Sequence, residues 1–348
     1  LWMDPTVRFS GVDALPEAEL GRAALVASPR TRGLVTIPPP PEPSTWSEEV
    51  RLTLIDEDFG EVEVAMGGTG YLDAEYRENV GAASAEDVQE WAGPWAERRW
   101  GAPEVVEVGS GGAEDRDRPF VLRASLEGSD LALAMGDEGI GVVRPRLLLA
   151  ELDEDLWLPP EEPRRGPGWL GRPHEVLIDL RFEAPPGYVV ESLPEAEEGA
   201  LGPGRWSVAF ETIQERPAVV VARLRLALPG PLALPKEEFE ALQLGLAALH
   251  DHEDLWVRFR TEATLLAGEG RPNEGLARLL QDLAERPEDG MTAVRMADWL
   301  LVQGFGAAAR RQAQRAVELA PTLSRAWRTL GEALQADLLG RPFEPGWE

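Results

Sequence analysis

Residues recur at a spacing of 34 positions in the final part of this 348-residue chain, and this period restricts the possible folds more than any other feature. A fixed period of about 20 to 50 residues is typical of repeat architectures, in which each unit stacks on a neighbour to bury its apolar face. The spacing therefore predicts tandem two-helix units near the carboxyl terminus. The columns that share the register are Phe259, Ala293 and Trp327; Ala263, Ala297 and Gly331; Leu266, Leu300 and Leu334; Gly270 and Gly304; and Pro287 and Pro321.

Each column has a physical role in a pair of antiparallel helices. Small residues at Ala263, Ala297 and Gly331 allow the first helix to lie close to its partner. Gly270 and Gly304 follow the first helix, where a left-handed cap is favoured. The prolines follow the second helix and end it. The alternative is a generic helical bundle in which the same apolar residues are ordinary core.

The segment 327–334 resembles the tetratricopeptide signature W-x2-L-G-x2-Y, with Leu334 in place of the tyrosine. The unit 290–323 matches the later small and proline positions, whereas the unit 256–289 is more degenerate and carries Gly275 where alanine is usual. A third unit, from Ser324, stops short of a full second helix. The resemblance implies a concave helical groove that binds a peptide or another domain. It assigns the repeat signature to Gly270, Pro287, Ala297, Gly304, Ala309, Ala316, Pro321, Trp327, Leu330, Gly331 and Leu334.

Composition excludes several classes of function. The formal charge is -28, from 62 acidic and 34 basic residues, and such a field repels nucleic acid and anionic membrane surfaces. No cysteine is present, which removes disulfides, thiolate metal sites and a cysteine nucleophile from the chain. The apolar runs are far shorter than the roughly 20 residues that span a bilayer, so we expect no transmembrane helix.

Upstream of the repeats, short alternating segments and proline-rich tracts predict β-rich modules. Residues 50–66 alternate around a short acidic turn, which favours a hairpin. The range 71–100 has helical spacing, and 174–182, 206–212 and 218–228 alternate again. We therefore predict an α+β multidomain chain in which antiparallel β-sandwich-like modules precede an all-α tetratricopeptide-type array. The predicted ranges are 1–37, the end of a preceding core; 38–46, a proline-rich linker; 47–158, mixed α/β; 159–173, a Pro/Gly linker; 174–231, a small antiparallel sandwich; and 236–348, helical repeats.

The first 255 residues also resemble the C-terminal portion of bacterial transglutaminase-like proteins. Trp2-Met3-Asp4-Pro5-Thr6 is similar to the stretch that carries the third member of their Cys-His-Asp triad, and 172–176 and 234–239 resemble their downstream β-rich part. The resemblance implies that Asp4 orients a catalytic histidine. The alternative reading of Asp4 is a simple Asp-Pro turn. The chain opens without an initiator methionine, so we expect a fragment of a longer protein.

Other motifs carry weaker signals. His250-Asp251-His252 offers two imidazoles, but alternate residues of a helix point in different directions, so we predict no metal site. Asp56 and Asp58 fit a solvated hairpin tip better than a calcium loop, because the spaced oxygen ligands are missing. The glycine-rich segments 67–70 and 109–112 lack the lysine of a phosphate-binding loop. We expect no cofactor.

Two functional hypotheses follow. In the first, the chain is a non-catalytic interaction fragment whose helical groove binds a protein or peptide that is basic or amphipathic. In the second, it completes a papain-like protease or acyltransferase whose cysteine and histidine lie upstream of residue 1. The family resemblance favours the bacterial periplasm or envelope, and the oligomeric state stays open.

Overall fold

The computed structural model describes residues 9, 15, 19–38, 43–56, 58–111, 113–115, 118–150, 152, 156–157, 166–170, 174–213, 218–228, 233–337 and 341. Its strands are β1 (Ala23–Ala24), β2 (Val35–Thr36), β3 (Ser44–Thr53), β4 (Phe59–Gly68), β5 (Glu104–Ser110), β6 (Val121–Met135), β7 (Glu138–Val143), β8 (Gly168–Trp169), β9 (His174–Glu183), β10 (Tyr188–Ser192), β11 (Glu197–Leu201), β12 (Gly204–Thr212), β13 (Val219–Leu228), β14 (Ala233–Leu234) and β15 (Leu255–Thr261). Its helices are α1 (Tyr71–Tyr76), α2 (Ala85–Trp100), α3 (Lys236–His250), α4 (Glu262–Gly268), α5 (Pro272–Glu285), α6 (Gly290–Val302), α7 (Gly306–Leu319) and α8 (Ser324–Leu334). A π-helical turn (Arg77–Gly81) and a 3-10 helix (Pro145–Leu149) complete the elements.

One large curled sheet contains eleven of these strands. Its order is β10-β15-β7-β6-β4-β3-β9-β13-β12-β11, and β5 also pairs with β6. The predicted strands of the ranges 47–158 and 174–231 are confirmed, but they lie in the same sheet, joined where β3 pairs with β9. That pair is parallel, so the expectation of purely antiparallel modules is wrong there. The division into separately folding domains stays a prediction.

The inner face of the sheet holds the core. Every second residue of β3, β9 and β13 is buried, as the period of a strand requires. Apolar residues of α2, α3 and the 3-10 helix cover this face, among them Trp100, Phe239 and Leu148. Helix α3 therefore packs against the sheet, whereas the sequence prediction included its range in the helical repeats.

The helical prediction is also wrong at 255–261, which forms strand β15 between β7 and β10. Leu255, Val257, Phe259 and Thr261 are buried, and the residues between them are more exposed. Alternation of period two outweighed the 34-residue column at Phe259, because this segment meets two strand edges that need partners.

The two proline-rich segments are also less independent than predicted. Ser44–Trp46, within the predicted linker 38–46, is the start of β3, and Trp46 is fully buried. In the predicted linker 159–173, β8 pairs with β14, and Leu170 is buried in the main core. These linkers therefore contribute residues to the sheet and its core.

A buried ion pair joins α2 to the sheet. The guanidinium of Arg99 binds the carboxylate of Glu48 through Nη2, and its Nε lies 3.3 Å from Glu48 Oε2. Trp46 Nε1 donates a hydrogen bond of 2.7 Å to Glu48 Oε1. Both charged side chains are almost fully buried, so each depends on the other for compensation.

We expect Arg99→Met to lower the free energy of unfolding by about 3–5 kcal/mol, because the carboxylate of Glu48 would remain buried without its cation. Urea unfolding of the full chain measures this loss. Arg271→Met is the matched control, because Arg271 forms ion pairs to Glu269 and Glu274 at the surface, and we expect the midpoint to stay unchanged. Adding Glu48→Gln to Arg99→Met should recover part of the loss. Equal, small effects of the two arginine substitutions would contradict the assignment.

Candidate functional site

The predicted small residues of the repeats lie inside the helical packing. Helices α6 and α7 are antiparallel, because a Cβ built at Gly290 would lie 2.5 Å from the Cβ of Ala320, just beyond the far end of α7. Ala297, Ala309 and Ala316 are at most 1% exposed. These residues therefore bring the helices together and do not face a ligand.

The predicted helix ends recur with the same geometry. Gly270 and Gly304 have positive φ angles of 79° and 84°. The next residue donates its backbone N–H to the carbonyl five positions earlier, over 2.8 Å, from Arg271 to Leu266 and from Phe305 to Leu300. This hydrogen bond marks a Schellman-type helix end. Helices α5 and α7 each end two residues before their prolines, Pro287 and Pro321.

We expect Gly270→Ala to destabilise the protein by about 1–2 kcal/mol, because an L-residue is strained at positive φ. Gly268→Ala is a close control, since both positions have no heavy atom within 4 Å of an added Cβ and Gly268 lies within α4. That change should be neutral or stabilising by up to about 1 kcal/mol. Thermal and urea unfolding compare the two variants. Equal effects would show that φ does not control the stability of this helix end.

The last predicted unit differs from the expectation in two ways. A Cβ at Gly331 would meet no heavy atom within 4 Å, so close helix approach does not require this glycine. Trp327 and Leu334 are 55% and 57% exposed. The indole N–H of Trp327 donates to the carbonyl of Pro321 over 2.9 Å, which fixes the ring at the surface. Leu330 is partly buried against Ala297 and two other alanines.

A groove of about 480 Å³ opens between α4, α6 and α8, and Gly136 and Asp137 of the turn between β6 and β7 also line it. Thr264, Asp298 and Glu332 line this groove at equivalent positions of the three helices, because each is 34 residues from the next. Alternate helices of the array therefore present the same column of side chains to one cavity.

Further lining residues obey the same spacing. Ala267 and Leu301 form one pair of equivalent positions, and Gly268 and Val302 form another. Val302 is 82% exposed, an unusual environment for a large aliphatic side chain. These residues do not stand out in the sequence, because the columns that share the 34-residue register were recognised by their small, apolar, glycine and proline residues. Applying the same 34-residue spacing to the polar and exposed positions would have identified them.

Polar contacts hold the groove together. Arg325 Nη2 on α8 lies 2.6 Å from Asp298 Oδ2 on α6, and the hydroxyl of Thr329 donates to Asp298 Oδ1 over 2.9 Å. Asp298 thus fixes the two helices at the groove wall. Asp137 and the exposed Glu332 add negative charge to the lining, and Arg295 and Arg325 add positive charge.

A second buried ion pair fixes the helices to the sheet. Arg295 Nε lies 3.3 Å from Asp56 Oδ2, and both side chains are less than 9% exposed. Arg295 Nη1 donates to the carbonyl of Pro186 over 2.7 Å, and its guanidinium stacks 5.5 Å from the ring centre of Tyr188. The phenol of Tyr188 donates to the carbonyl of Gly136, in the turn that lines the groove.

Burial raises the pKa of Tyr188 well above its usual range, and the negative charge of Asp56 raises it further. The stability contributed by the neutral phenol is therefore fully present below about pH 10 and is lost as the pH rises above that value. We expect wild-type protein to lose more unfolding free energy than Tyr188→Phe between pH 9 and pH 11 (roughly the range set by an ordinary tyrosine). Urea unfolding across this range measures the two slopes, and parallel curves would contradict the expectation.

Asp4 and the two histidines near the end of α3 are the remaining residues that the sequence singled out. Asp4 and its neighbours lie outside the described residues. Among the residues with described positions, no group of three or more histidine, aspartate or glutamate side chains is arranged to hold a metal. His250 Nδ1 lies 3.0 Å from its neighbour Asp251, whereas His252 Nε2 lies 2.8 Å from Glu197, so the two imidazoles face different partners.

Comparison with known proteins gives no assignment: no family model matches the chain, and no curated protein matches it significantly. Within the described part of the chain, no helix combines the length and apolar character needed to cross a membrane. The groove geometry therefore carries the functional argument.

Proposed function

We propose that this chain is a protein-binding module whose groove between α4, α6 and α8 holds a basic or amphipathic segment of a partner protein. The carrying observation is that equivalent positions of the three helices line one cavity. Among the charged residues of the lining, Asp298 is paired with Arg325, and Arg295 is paired with Asp56. The exposed Glu332 therefore supplies negative charge to a ligand, and Leu301 and the exposed Val302 supply apolar surface. A helix or extended segment with alternating basic and apolar side chains can contact both the negative charge and the apolar surface.

The same proposal includes the family to which the helices belong. We propose that α4 to α8 are tetratricopeptide-type units, supported by the repeated helix ends and the buried alanine columns. The resemblance of the upstream part to transglutaminase-like proteins stays a prediction, as does a catalytic role that would need residues upstream of residue 1.

The test uses fluorescein-labelled amphipathic peptides that carry lysine every third or fourth position, with glutamate-substituted counterparts. We expect the lysine peptides to bind the full chain in fluorescence polarisation, and added salt to weaken binding through screening. Glu332→Lys should weaken binding about fivefold, equivalent to ~1 kcal/mol.

Glu318→Lys is the matched control, because this exposed glutamate lies on α7, outside the groove lining. It makes the same change in net charge and should leave the affinity nearly unchanged. Equal losses from the two substitutions would indicate non-specific attraction to an acidic chain. An unchanged peptide affinity in both Glu332→Lys and Val302→Asp would contradict the assignment of the groove as the binding site.

A further inference from the structure

The outer face of the sheet carries a second groove, far from the helices α4 to α8. It has a volume of about 840 Å³ and runs across β3, β4, β5, β6, β9 and β13. Its lining contains four arginines, Arg51, Arg123, Arg181 and Arg223, and four carboxylates. The surface is thus balanced in charge, although the chain has nearly twice as many acidic as basic residues.

The register of β3 and β9 arranges the central charges in two rows. Glu49 lies beside Asp179, and Arg51 lies beside Arg181, because these parallel strands pair in register. The carboxylate row and the arginine row are two positions apart along each strand. Side chains at positions i and i+2 point to the same face, so both rows point to the outer face. The result is a square with two negative and two positive corners.

We propose that a second copy of this chain binds this face through a two-fold axis. The axis lies in the plane of contact, perpendicular to the strands and midway between the two rows. Rotation about it places the carboxylate row of one copy over the arginine row of the other. It places Glu49 over Arg51 of the second copy and Asp179 over Arg181 of the second copy, and it forms each pair twice. Packed sheets keep their strands within about 30° of each other, so sheet twist requires only a small tilt.

The flanking positions alternate in size under the same operation. Arg123 and Ala65 share the carboxylate row, and Ser125 and Glu63 are their neighbours in the arginine row. The axis therefore places Arg123 over Ser125 of the second copy, beside its Glu63. Glu63 in turn lies over the small Ala65, so each long side chain faces a short one.

On β13, Arg223 pairs with Asp179, and Val221 pairs with Arg181, so the two residues extend the same rows. Arg223 would face Val221 of the second copy. A long side chain thus faces a shorter one on both sides of the central square.

Intramolecular bonds hold the arginines in place before contact. Arg51 Nη2 and Arg181 Nε lie 2.7 Å and 2.5 Å from the two carboxylate oxygens of Glu183. Arg223 Nη1 lies 2.6 Å from Glu211 Oε2. Side chains that are already ordered lose less entropy on binding, which favours association.

Charge reversal tests the two-fold pairing. One variant carries Glu49→Arg with Asp179→Arg, and the other carries Arg51→Glu with Arg181→Glu. We expect wild-type full chain to dimerise in sedimentation velocity, and each variant alone to have a dimer Kd at least about tenfold higher, because like charges would meet. An equimolar mixture of the two variants should form the heterodimer, since all four pairs are then opposite in charge.

Ala65 provides a milder pair of variants that leaves every ion pair in place. Ala65→Glu should weaken the dimer more than Ala65→Arg, because the two new side chains are similarly long but only the carboxylate repels Glu63 of the second copy. Wild-type protein that stays monomeric at a concentration of about 100 μM, roughly 100-fold above a micromolar Kd, would overturn the proposal. Homodimers of the reversed variants as tight as wild type, folded variants that do not associate when mixed, or equal effects at Ala65 would also overturn it.

Discussion

The buried ion pair between Asp56 and Arg295 is the constraint on which the position of the helical groove depends. It joins the turn after β3 to the middle of α6, and both charges are removed from water. A buried charge without its partner costs several kcal/mol, so the sheet and the helices cannot separate cheaply at this point. Arg295 also contacts Pro186 and Tyr188, which extends the constraint to the β9–β10 turn and to β10.

The same type of interaction appears where Arg99 and Glu48 join α2 to β3. Neither pair was predictable from the sequence, because their members are 51 and 239 positions apart in a chain that contains 62 acidic residues. Local patterns identify a buried strand or a helix face, but they do not identify the partner that a charged residue finds. Such pairs nevertheless decide how the elements assemble.

Local periodicity predicted most of the strands and the helices α6 to α8. It failed at Leu255–Thr261, where two signals compete within the same residues. The 34-residue column at Phe259 favours a helix, whereas the alternation from Leu255 to Thr261 favours a strand. Edges of β7 and β10 supply hydrogen-bond partners from distant parts of the chain, and this tertiary context selects the strand.

At the candidate site, the register was predictable but the roles of its residues were not. The signature alanines are packing residues, and the groove is lined by the columns of Thr264, Asp298 and Glu332, which share no residue type. Packing between the helices restricts the buried positions to small and apolar residues, whereas the exposed positions of the groove are not restricted in this way.

Strand β15 also explains how the C-terminal helical segment begins. The first helix of such a segment needs a neighbour to cover its apolar face. Here β15 leads directly into α4 at Thr261, and the backbone N–H of Glu262 donates to the carbonyl of Gly187 over 2.9 Å. Strands β10 and β15 of the sheet thus contact the first of these helices. Because strand and helix are continuous, the groove is held at a fixed position relative to the sheet edge.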